Sequence, residues 1–201
     1  MMNVNVFIKE QLLEMSQKLL NDHCNHEIIQ TKDHTLFPFL YGKYALMITE
    51  PEPENDIHIV FDGFEKFNQY PLIAIGNWKA NAYGQALYER YQNSYLIKLI
   101  DPQIQLRTLN MLRTNCFIYI DSHHQEDTSA SLLEAMYMQL PIIAYASDYN
   151  KTLTQNNAMF FKHSNELMEV LYSLHPSKAA NYGVLMKQTI SSQLEKLHLM
   201  H

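Results

Sequence analysis

Two glutamates with seven residues between them, Glu126 and Glu134, bracket the segment of this chain best equipped for chemistry. Residues 119 to 136 read Tyr-Ile-Asp-Ser-His-His-Gln-Glu-Asp-Thr-Ser-Ala-Ser-Leu-Leu-Glu-Ala-Met. Thr128, Ser129 and Ser131 stand where a helix would begin. Free backbone N–H groups and the helix dipole at such a start suit phosphate. Taken alone, the two glutamates read more readily as ordinary solvent-facing residues. His123 and His124 directly follow an apolar run, where an imidazole serves as an acid, a base or a hydrogen-bonding spacer. A second acidic stretch, Glu50-Pro51-Glu52-Pro53-Glu54-Asn55, reads equally well as a solvated turn broken by prolines and as part of a site. His23, Cys24 and His26 cluster closely, but a tetrahedral metal site needs further ligands at suitable spacing. None follows, so no metal is expected.

Short apolar runs alternating with helical periods are what must position these residues. Ile8, Leu12, Met15 and Leu19 recur at helical spacing and predict an amphipathic helix over about 5–20. A polar, His-rich stretch then runs from 21 to 41. Strands are expected at 44–49, 71–76, 95–100, 116–120, 141–145 and 158–161. Helices are expected at 55–67, 80–91, 103–113, 129–139 and 164–174, with a last one over 178–197. Asn55 or Asp56 is the natural N-cap of the first of these. Strands that are apolar throughout and alternate with helices call for a parallel sheet covered on both faces. The expected fold is therefore α/β, a doubly wound parallel sheet, with flanking N- and C-terminal helices. Residues 1–43 form an N-terminal helix and linker, 44–174 the sheet domain and 175–201 a C-terminal helix. Ligands of such sheets bind outside the carboxyl ends of the strands. That rule singles out three loops: 49–55, 76–79 and 121–131.

Composition narrows the function. The 201 residues are 47% hydrophobic and 18% charged, which suits a folded domain with a sizeable core. Net charge is −6 with only 15 Lys and Arg, so there is no basic footprint for nucleic acid. Five glycines, Gly42, Gly63, Gly76, Gly84 and Gly183, are too scattered for a Walker loop or a GxGxxG turn. Cys24 and Cys116 lie far apart; Cys116 falls in an apolar run and reads as a buried free thiol. With no secretory leader and no cysteine framework, a cytoplasmic location is expected. No apolar stretch reaches the roughly 18 to 20 residues that span a bilayer. Peripheral membrane contact stays open.

The segment 119–136 resembles the signature of retaining GT-B glycosyltransferases of family four, which carry two glutamates at this spacing, the second in a Leu-Leu-Glu-Ala-Met helix. A branch that includes rhamnosyltransferases of surface polysaccharide synthesis is more similar still. It carries Glu-Pro-Glu-Asn after the first strand of its C-terminal domain, matched here by residues 52–55. It also has a Pro-Leu-Val-Ile-Val-Gly-Asn-Trp strand and turn, matched by Pro71 to Trp78. The likeness covers roughly 44–174. It implies a Rossmann-like C-terminal domain of GT-B type that binds a nucleoside-diphosphate sugar and needs no metal or other cofactor. By resemblance Glu126 meets the donor sugar as the catalytic carboxylate and Glu134 binds the ribose hydroxyls. Thr128, Ser129, Ser131, Asn77, Glu50, Asn55 and His123 complete the donor site.

Two departures shape the expectation. Alignment on Glu-Pro-Glu-Asn sets Glu50 where the family usually directs an arginine at the diphosphate. A complete GT-B enzyme also has an acceptor-binding half, and only 43 residues precede the first strand. The expected protein is thus a glycosyltransferase-type domain lacking its acceptor domain. It would act with a separate acceptor-binding domain or subunit in surface polysaccharide synthesis. The alternative is a non-catalytic interaction protein that keeps the fold.

Overall fold

The computed structural model describes residues 4–21, 42–124 and 130–198. After helix α1 (Val4–Asn21), strands and helices alternate. The order is β1 (Ala45–Ile48), α2 (Ile57–Phe67), β2 (Leu72–Ile75), α3 (Ala82–Tyr91), β3 (Ile97–Ile100), α4 (Leu106–Asn115) and β4 (Ile118–Asp121). Then come α5 (Ala130–Tyr137), β5 (Ile142–Tyr145), α6 (Asp148–Leu153), β6 (Met159–Phe161), α7 (Ser164–Ser173) and α8 (Pro176–His198). The six strands form one parallel sheet in the order β3-β2-β1-β4-β5-β6. This is the expected doubly wound α/β fold.

The strands are mostly apolar because both faces of the sheet are covered; the exceptions are Lys98 in the edge strand β3 and Asp121 at the end of β4. Successive side chains point to opposite faces, and the core divides accordingly. Leu46, Ile73, Ile75, Tyr119, Ile142 and Ala144 face a layer built by α1, α4, α5, α6 and α8. Ala45, Met47, Leu72, Ala74, Ile118, Ile120 and Ile143 face a layer built by α2, α3 and α7. Helix α2 shows how the second layer is held. Ile57, Val60, Phe61, Phe64 and Phe67 lie on one stripe and are buried; each contributes about 1.5–3 kcal/mol by leaving water. Gly63 lets α7 approach, since a Cβ there would meet Leu167 Cδ2 at 2.9 Å.

Several local expectations are corrected. The helix expected from residue 55 starts instead with a 3-10 turn at Pro53–Asn55, and α2 begins at Ile57. Asp56 precedes it with a left-handed φ of 44° and makes no side-chain cap. The pre-set φ of Pro53 favours a tight turn first. Helix α4 begins at Leu106, after a turn in which Asp101 Oδ1 accepts from the Gln103 amide at 2.9 Å. Helix α6, inserted between β5 and β6, was not expected at all. Its six residues offer only Tyr149 and Leu153 at helical spacing, too short a stretch to register as a period. Among the described residues no helix is long and apolar enough to cross a membrane.

Candidate functional site

Strand order reverses between β1 and β4. Their connections leave in opposite directions, and a crevice opens beyond their carboxyl ends. One wall is the loop after β1. Its backbone is tied down at each end: the Thr49 amide donates to the Ile75 carbonyl at 3.0 Å, and Asn55 Nδ2 donates to the Glu50 carbonyl at 2.9 Å. Asn55 therefore braces the turn, while the Glu50 side chain stands exposed in solvent. Asn81 joins this wall to the next loop. Its Nδ2 donates to the Pro51 carbonyl at 2.8 Å while its Oδ1 caps α3 by accepting from the Gly84 amide at 2.8 Å. Gly76 and Gly84 make that proximity possible; a Cβ on them would meet the Thr49 carbonyl oxygen at 2.6 Å and the Trp78 carbonyl oxygen at 2.8 Å. Trp78 anchors the turn by donating Nε1–H to the Ile100 carbonyl at 3.1 Å, leaving Asn77 exposed at its tip.

The opposite wall starts at the end of β4, where polar side chains are buried in an unusual concentration. The Asp121 side chain is fully enclosed. One of its oxygens accepts from His123 Nδ1 at 2.9 Å and the other from Asn150 Nδ2 at 3.1 Å. The carboxylate can only accept here, so His123 carries its hydrogen on Nδ1. The Asn150 amide also reaches the carbonyls of His123 and Tyr145, each at 3.0 Å, pinning the first turn of α6 to the end of β4. His124 stacks on Tyr145 with ring centres 3.5 Å apart. Its Nε2 lies 3.5 Å from Asp56 Oδ2, bridging the crevice from the β4 side to the β1 side. Burial holds the His124 pKa below the usual imidazole value, against the upward pull of Asp56 and Asp121.

Helix α5 brings Ser131, half-buried, and Glu134 to this wall. The Glu134 carboxylate forms an ion pair with the guanidinium of Arg113, which α4 delivers from the neighbouring crossover. Arg113 is almost wholly enclosed, its side chain 5% exposed, while Glu134 keeps 21%. Glu126, Thr128 and Ser129 lie outside the described residues, as do His23, Cys24 and His26. Of the residues singled out from sequence, the fold gathers Asn55, Glu50, His123, Ser131 and Glu134 around the reversal of strand order, with Asn77 on the adjoining turn.

Arg113, Asp121, Asn150, Asp56 and Asn81 were missed. Arg113 carried no signal beyond that of a basic residue closing a helix. Asp121 and Asn150 belong together only through the pairing of β4 with β5. Cys116 is buried and free, as expected. Burial pushes its thiol up to about 12, so it packs as an apolar group. An open cavity of about 560 Å³ lies at the opposite, amino end of the strands, against Gly42, Lys43, Tyr70 and Pro71. Among the described residues its lining carries one charged side chain, Lys43, and no carboxylate or histidine.

No protein-family model and no curated protein matches the chain in sequence. Its structure does match solved ones. Sucrose-phosphate synthase from Thermosynechococcus elongatus superposes with a TM-score of 0.68 at 15% identity, covering 80% of this chain and 44% of that one. Anabaena HepE in complex with UDP-glucose gives 0.66 at 14% identity, covering 95% and 51%. The C-terminal domain of LpcC, a glycosyl transferase group 1 family protein from Francisella tularensis, gives 0.60 at 14% identity, covering 75% and 86%. The chain thus spans about half the length of the first two proteins and most of the isolated C-terminal domain. The fold is that of a GT-B glycosyltransferase domain.

Proposed function

We propose that this chain is the donor-binding domain of a retaining glycosyltransferase and takes a nucleoside-diphosphate sugar into the crevice between β1 and β4. The observation that carries the reading is a coincidence of place. The Glu-Pro-Glu-Asn turn after β1 and, across from it, the end of β4 with the Leu-Leu-Glu-Ala-Met helix α5 lie on the two sides of the strand-order reversal. A solved relative in fold, HepE, holds UDP-glucose. In this reading Glu134 receives the ribose hydroxyls, and the backbone amides at the start of α5 receive the diphosphate. Glu126 meets the sugar. Retaining transfer then depends on stabilising the departing diphosphate as positive charge develops on the sugar. The acceptor, a growing surface polysaccharide, is held by a separate acceptor-binding domain or subunit.

Calorimetric titration with UDP and dTDP at low salt tests this. Saturable binding is expected, weakened about tenfold or more in Glu134→Ala, which removes a charged hydrogen-bonding partner. Glu50→Arg exchanges repulsion for attraction beside the diphosphate and should tighten binding by about fivefold to tenfold. Absence of binding in all three proteins would overturn the donor reading and favour a non-catalytic interaction protein.

A further inference from the structure

Arg113 stands outside the residues assigned to the donor, yet its guanidinium is what the Glu134 carboxylate touches. Three features set this pair apart from an ordinary surface ion pair. Arg113 is desolvated, and among the described residues its Nε has no hydrogen-bonding partner. Glu134 is the more open member, so the pair meets solvent through its carboxylate. Finally, α4 is the crossover that returns the chain from β3 to β4, so the guanidinium comes from the element that makes the topological reversal. As a strut between two helices the arrangement is wasteful. Packed apolar residues would join α4 to α5 at least as well, because a buried ion pair rarely recovers its desolvation cost. As a device for holding a carboxylate it is apt, since the planar fork of arginine fixes a carboxylate in one orientation and stays charged at any ordinary pH.

We infer that Arg113 is a positioning residue. It holds the Glu134 carboxylate in a single orientation, so that the carboxylate offers a fixed acceptor to the ribose hydroxyls of the donor. The inference rests on the donor reading above and adds a selectivity to it: ribonucleotides are preferred over deoxyribonucleotides. A preorganised acceptor discriminates because losing the hydroxyl leaves its own polar group unmatched.

The test titrates the full chain, Arg113→Met and Arg113→Lys with UDP and with dUDP at one fixed pH, with circular dichroism confirming each fold. The parent should bind UDP about tenfold more tightly than dUDP. In Arg113→Met the preference should collapse. Arg113→Lys keeps the charge but not the fork, so its preference should drop severalfold. Should Arg113→Met not fold, the lysine variant decides alone, and an unchanged preference there overturns the inference. A folded Arg113→Met that keeps the parent's preference overturns it too, reducing Arg113 to a strut and leaving the donor reading intact. A parent that binds UDP and dUDP equally has the same consequence. A parent that binds neither removes the donor reading and this inference together.

Discussion

His124 sits between a tyrosine ring and a carboxylate, and burial outweighs the carboxylate in setting its protonation. The consequence for stability has a definite sign. With its folded pKa below the unfolded value of about 6.5, the group takes up more protons in the unfolded chain. Its contribution is complete well above that value and is lost as pH falls through it. His124→Phe keeps an aromatic ring on Tyr145 and cannot titrate. Between about pH 8 and pH 5.5, the urea midpoint of this variant should therefore fall less than the parent's. Equal falls would show that His124 protonates alike in both states. His123 differs because Asp121 accepts from its Nδ1. The same residue type, one position away, thus meets a buried acceptor instead of an apolar face.

Elements meet where small residues let them. Helix α8 crosses the end of α5 at Gly183, and a Cβ there would drive into the Gln139 carbonyl and lie 3.5 Å from the Pro141 nitrogen. In a free helix, Gly→Ala gains roughly 0.5–1 kcal/mol. Here the obstacle is backbone, which cannot rotate aside. Gly183→Ala should accordingly destabilise the protein by about 1–3 kcal/mol, lowering Tm by about 2 to 10 °C in a chain of this size. Asn181→Ala, at an exposed position one turn face away, should raise or leave Tm unchanged. Matching effects at the two positions would contradict the packing of α8 on α5. The crevice wall is built by the same device: Gly76 and Gly84 draw the loops after β1 and β2 together, and Asn81 bonds across the junction.

For the molecule as a whole, the sheet divides two apolar layers, and α1 with the greater part of α8 belongs to one of them. Ile8, Leu12 and Met15 of α1 are buried with Met186, Ile190 and Leu194 of α8 in the layer that also holds Leu132 and Leu133 of α5. Helix α1 is thus part of the core beneath the site. Leu12→Ala should cost about 2–4 kcal/mol in urea unfolding, comparable to Leu133→Ala and in a single transition. A change below about 0.5 kcal/mol, the usual range for surface positions, would show α1 to be peripheral. Charge is also distributed at this scale. Glu50, Glu52, Glu54, Asp56, Asp101 and Asp121 all gather at the carboxyl end of the sheet. Arg113 reaches Glu134 from beneath that acidic rim.

Local order was legible in the residues. All six strands could be read because strands of a covered parallel sheet are largely apolar runs, uninterrupted in Leu-Ile-Ala-Ile and Ile-Ile-Ala-Tyr and broken by one lysine in Ile-Lys-Leu-Ile. The longer helices were readable from their 3.6-residue stripes, and the alternation of the two types is enough for a parallel, doubly wound sheet. Glu134 and the acidic turn could be placed at strand ends by the same means. Helix α6 and the 3-10 turn escaped because each is too short for an apolar period to repeat. Strand order was decided by tertiary structure, since a strand's apolar residues do not say which neighbour they will pair with. The partners of the charges followed from that order. Arg113 meets Glu134, and Asn150 meets Asp121, only after the crossovers have brought α4 beside α5 and α6 beneath the end of β4. An ion pair depends on distance and burial, and both are properties of the packed molecule, which no spacing along the chain contains.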